Sequence, residues 1–147
     1  MIQLQLLLLI PVFMRSIYTD LKDGVIENRL LASALAPAVL LIFYMGGVPA
    51  VLAGIKASFI LVGTLFLLFL AGAVGAGDIK LLALVALLFP AKILNITLAS
   101  FIMAGLMCVV RMLWRLIRKS KAYLRGETIH FSIPIAAGTL AVLILGM

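Results

Sequence analysis

One cysteine, one histidine and five acidic side chains leave this chain of 147 residues few routes to enzyme chemistry. Cys108 stands alone in an apolar run, so it can form no internal disulfide and says little about redox compartment. There is no Cys-x-x-Cys pair, and His130 has no second histidine, so no zinc site of either kind is available. Neither a metal nor a cofactor is expected. Hydrophobic residues make up 66% of the chain, far above the roughly 45–50% of a soluble domain, which excludes a soluble globule. The net charge of +7 does not call for a nucleic-acid partner, because positive charge in a membrane protein usually reflects topology. The start, Met1-Ile2-Gln3, lacks the basic region of a cleaved signal peptide.

What is present is a series of long apolar runs, continuous rather than alternating, which excludes a β-barrel. A span needs roughly 20 apolar residues. The expected fold is all-α: one polytopic membrane domain, residues 1–147, with six transmembrane helices. The runs lie at about 2–18, 30–45, 50–74, 79–89, 93–110 and 131–147. Pro11 is tolerable within a membrane helix. Gly46-Gly47-Val48-Pro49 reads as a tight turn. Lys56 can snorkel to the interface, and Pro90 and Lys92 close the fourth run. A basic segment from Arg111 to Arg125 precedes the last run and suits anionic lipid. Trp114 resembles a membrane-interface anchor, and His130 falls at the interface.

Six spans with short turns put alternate connections on one side. The connection with Asp20, the one with Asp78 and the basic segment then share a face. That face carries Arg15, Lys22, Arg29, Lys80 and the six basic residues from Arg111 to Arg125, while only Lys56 and Lys92 sit toward the other. The positive-inside rule makes the charged face cytoplasmic and puts both termini opposite. All five acidic residues fall on the cytoplasmic face, so Asp20 and Asp78 share one depth.

Gly75-Ala76-Gly77-Asp78-Ile79-Lys80 is the stretch the chain is organised around, an Asp and a Lys between two uncharged runs. Ionisable groups there are costly unless they lie at an interface or line a wet cavity, which makes them functional candidates. The bland alternative is that Asp78 caps the next helix. Two carboxylates at one depth are also the minimum equipment of an aspartic protease: one ionised to take a proton from water, one protonated to hydrogen-bond the scissile carbonyl. The competing arrangement pairs Asp20 with Lys22 and Asp78 with Lys80 as separate ion pairs.

The run from Asp20 to Leu30, Asp-Leu-Lys-Asp-Gly-Val-Ile-Glu-Asn-Arg-Leu, resembles the first catalytic motif of the type IV prepilin peptidases. Gly75 to Leu82 is similar to their second motif, Gly-x-Gly-Asp followed by x-Lys. Ile133 to Gly138 resembles, more loosely, the Pro-containing stretch that opens their last span. Glu27 stands where the family usually has Pro, so the turn after Asp20 departs from the pattern. Gly-x-Gly-Asp also occurs in presenilin-like proteases, which are larger. The methyltransferase region and cysteine set of bifunctional members are missing from this sequence, so a peptidase-only member is expected.

The resemblance implies a membrane aspartic endopeptidase with Asp20 and Asp78 as the catalytic pair, acid and base unassigned. Asp23, in the turn signature Lys22-Asp23-Gly24, is assigned to turn formation. Gly75 and Gly77 would let substrate backbone or the other motif approach. Lys80 lies roughly 200° round a helix from Asp78 and should face headgroups, a neighbouring carbonyl or Glu27. Asn28 could bond backbone in the first motif, with a helix cap for the second span preferred. The implied partner is a prepilin-like precursor with a basic leader and an apolar helix, cut at the cytoplasmic face of the cell membrane. A small proton- or cation-coupled transporter or channel subunit, or a non-catalytic membrane scaffold, are the alternatives.

Overall fold

The computed structural model describes residues 2–117 and 131–146, with side chains as far as Trp114 in the first stretch. Arg118, Lys119, Lys121, Arg125, Glu127 and His130, and the Arg115 side chain, lie outside the described residues. The lipid contact expected of the basic segment therefore rests on sequence.

All regular structure among the described residues is helical: α1 (Ile2–Asp23), α2 (Asn28–Leu70), α3 (Ala76–Leu88), a short 3₁₀ turn (Pro90–Lys92), α4 (Ile93–Ile117) and α5 (Ser132–Leu145). In an apolar medium a backbone amide can bond only another part of the protein, and a helix satisfies it within one segment. Two helices outrun their apolar stretches. α1 continues past the expected end at residue 18 to Asp23, and α4 continues past 110 to Ile117. Polarity marks where a chain leaves an apolar layer, not where its helix stops. Thr19 remains helical with its hydroxyl bonded to the carbonyls of Arg15 and Ser16, each at 3.2 Å. α1 ends where Gly24, at φ 65°, sends its N–H back to the Asp20 carbonyl at 3.0 Å. The third run ends early, at Leu70, and residues 71–75 form the connection to α3.

α2 has 43 residues and would be roughly 65 Å long if straight, about twice a bilayer's apolar thickness. It is not straight. Gly47 adopts φ 66°, ψ −160°, a conformation open to glycine and strained for other residues. Asn28 touches Lys80, and Ser58 donates to the Ala83 carbonyl at 2.8 Å. Their partners are one turn apart on α3, whereas the two residues would be roughly 45 Å apart on a straight helix. The limbs, residues 28–46 and 48–70, therefore fold back on each other at Gly47. The break is confined to that residue; Val48 and Pro49, expected in the turn, are already helical.

α3 is the central element. Ile79, Leu81, Leu82 and every residue from Leu84 to Leu88 are buried, the signature of a helix packed on all sides. It runs antiparallel to the second limb of α2, where Gly54 meets the Leu87 carbonyl so closely that a Cβ would fall 2.5 Å from it. α4 and α5 pair through a similar close approach of Gly138 to Ser100. Gln5 near the start of α1 donates to the Leu88 carbonyl at 2.7 Å, at the end of α3. This bond brings the beginning of α1 to the end of α3, so the end of α1 meets the beginning of α3.

Three helices are long and apolar enough to cross a membrane: Ile2–Asp23, Asn28–Leu70 and Ile93–Trp114. α3 and α5, with 13 and 14 residues, are shorter than the roughly 17–25 of a spanning helix. Length and composition thus mark three crossing helices among the described residues, where six were expected.

Candidate active site

Antiparallel packing of α1 on α3 carries two carboxylates to the same end of the helix array. Asp20 lies in the last turn of α1 and is buried, at 7% exposure. Asp78 lies in the first turn of α3 and is half-buried. Both line one cleft of about 650 Å³, with Gly24, the connection from Gly72 to Gly75, and Phe101, Ala104, Gly105, Cys108 and Phe131. Phe101 and Phe131 meet edge to face, ring centres 5.2 Å apart, and form an apolar wall. The small side chains of α4 keep the opposite side open.

Asp20 accepts two hydrogen bonds from the first residue of α5. The Ser132 hydroxyl donates to Asp20 Oδ2 at 2.5 Å, and the Ser132 backbone N–H donates to the same oxygen at 3.4 Å. Sequence reasoning stopped one residue short of Ser132, beginning the loosely matching stretch at Ile133. A hydroxyl just ahead of an apolar helix carrying an early proline was the available signal.

Asp78 accepts from the Gly75 N–H at 3.3 Å, so it does help to cap α3, as the bland alternative held. Capping does not remove it from the cleft. Asp78 stands outside the three candidate spans, and its carboxyl is raised from 3.8 to about 6. Burial is the main cause and the Asp20 charge the second; the Gly75 N–H works in the opposite direction. The glycines provide room: a Cβ on Gly75 would sit 2.9 Å from Asp78 Oδ2, and one on Gly77 would sit 3.0 Å from the Ile26 Cβ. Gly77 thus lets the segment after Asp20 pack onto the start of α3.

The Lys80 ammonium donates to Asn28 Oδ1 at 2.9 Å rather than to Asp78 or Glu27. Asn28 is not the helix cap expected of it. Glu27 occupies that position, without a side-chain bond to the helix, and pairs with Arg15 at 3.1 Å on the surface. Lys22 lies over the Tyr18 ring, 5.8 Å from its centre. Asp23 is exposed and ends α1. No cluster of three or more potential metal ligands occurs among the described residues.

No curated protein and no solved structure matches the chain. A family model does, over residues 7–110, a stretch that contains both carboxylates and the Asn28–Lys80 contact. With most of its length covered by that match, the chain belongs to the type IV leader peptidase family: it is a peptidase and a membrane protein.

Proposed function

We propose that the protein is an aspartic endopeptidase that removes the basic leader from prepilin-like precursors at the cytoplasmic face of the membrane. One observation carries this reading: Asp20 and Asp78, from two different helix ends, line a single cleft. One carboxylate takes a proton from water as the water oxygen attacks the scissile carbonyl carbon. The protonated partner hydrogen-bonds the carbonyl oxygen and stabilises the tetrahedral intermediate. A proton then passes to the amide nitrogen, the C–N bond breaks, and the leader leaves with a new carboxyl group. Water is the nucleophile, so neither a covalent intermediate nor a cofactor enters.

The reading includes six membrane crossings, by α1, the two limbs of α2, α3 from Ile79 onward, α4 and α5, with Asp78 in the connection ahead of the fourth. The fold-back at Gly47 and the joining of opposite helix ends by Gln5 and Leu88 support it. Two short crossings are tolerable where neighbouring helices bury them and the bilayer thins. The excess of Lys and Arg at the Asp20–Asp78 end makes that end cytoplasmic. A precursor with an apolar helix would lie beside α4 with its leader junction in the cleft.

Co-expression with a prepilin-like precursor, read by gel shift and N-terminal sequencing, tests the reading. Asp20→Asn and Asp78→Asn should each abolish processing, and Asp23→Asn should retain it. Processing that survives both of the first two changes would overturn the proposal.

A further inference from the structure

Asp20 is held by α5, the one helix of the cleft wholly beyond the stretch that the family match covers. Ser132 lies 112 positions from Asp20 in sequence, yet its hydroxyl and its backbone N–H both point at Asp20 Oδ2. The hydroxyl is fully buried, and the N–H is one of the helix-start donors that have no partner within their own helix. Two donors on one oxygen fix the rotation of the carboxylate. Both are strengthened by negative charge on that oxygen, as is the favourable end of the α5 dipole. Asp78 has a different setting: one backbone N–H at 3.3 Å, in a half-buried place.

Resting on the aspartic-peptidase reading, we propose that Ser132 is a positioning residue that fixes the rotation of the Asp20 carboxylate in the cleft. Among the described residues, Asp78 on α3 and Cys108 on α4 line the cleft with Asp20. Without the Ser132 hydroxyl the carboxylate is free to rotate away from the geometry in which it meets water and the scissile carbonyl.

The test uses the full chain in lipid nanodiscs and a purified precursor with its leader, with kcat and KM measured across pH. Ser132→Ala is expected to lower kcat roughly ten-fold or more and to leave KM within about two-fold. Ser132→Thr keeps a hydroxyl and is expected to restore most of kcat. A Ser132→Ala enzyme with wild-type kcat, beside an inactive Asp20→Asn, overturns the role of Ser132 and leaves the aspartic reading standing. That role falls equally if Ser132→Ala and Ser132→Thr lose activity to the same degree, because that is loss of packing alone. Activity retained by Asp20→Asn instead overturns the reading underneath, and the Ser132 proposal with it.

Discussion

Lys80 reaches away from Asp78, two residues before it, and bonds Asn28, 52 positions distant, at 2.9 Å. The contact ties the start of α2 to the start of α3, so each Asp-bearing motif helps to place the other. The bond is exposed, and its share of stability should be small, about 1 kcal/mol or less. Its effect should appear in catalysis. Lys80→Met and Asn28→Ala are each expected to slow precursor processing roughly three-fold or more, with the double variant no slower than the worse single one. Independent, multiplying losses would show that the two residues act separately.

Gly77 leaves little room for a side chain against Ile26, since a Cβ there would lie 3.0 Å from the Ile26 Cβ and Ile26 would have to give way. Gly77→Val should destabilise the protein by about 1–3 kcal/mol and push the segment after Asp20 off α3. Thermal melting in detergent would register this as a lower Tm. Ile26→Ala introduced into Gly77→Val should recover part of the loss. A Gly77→Val protein that melts like wild type would mean the two segments separate without cost.

Asp78 carries a pH signature whose sign follows from burial. Its carboxyl rises from 3.8 to about 6 in the folded chain, so the fold binds that proton more tightly than the unfolded chain does. The resulting stabilisation is fully present below about pH 4 and is lost as pH climbs through about 6. Wild type should therefore lose Tm between pH 4 and 7 relative to Asp78→Asn, which has no proton to give up. The window should narrow in Asp20→Asn, where the repelling charge is gone. Parallel curves for wild type and Asp78→Asn would contradict this account.

Gln5 offers the contrasting case of a bond that serves the fold rather than the cleft. Its amide donates to the Leu88 carbonyl at 2.7 Å, at the far end of α3 from Asp78. Gln5→Leu leaves that buried carbonyl unsatisfied and should cost about 1–3 kcal/mol. Processing per folded molecule should stay near wild type when measured below the melting range. A large fall in kcat with unchanged Tm would place Gln5 in the chemistry instead.

The order of apolar runs was sufficient to specify an all-α chain, because uncharged stretches of this length can satisfy their backbone only as helices. It also placed a fold-back near Gly46-Gly47 and put Asp20 and Asp78 at one end of the helix array, where they line one cleft, since alternate connections return to one end. Where helices stop was not legible. α1 runs to Asp23 and α4 to Ile117 because helical hydrogen bonding continues through polar residues that merely leave the apolar layer. Side-chain partners were not legible either. Asn28 looked like a cap and instead meets Lys80, Glu27 meets Arg15, and Ser132 meets Asp20. Each of these pairs depends on how helices are rotated about their axes and on how far they slide along one another. Those two quantities are set by packing at contacts such as Gly54 on Leu87, Gly77 on Ile26 and Gly138 on Ser100, and only the folded chain decides them.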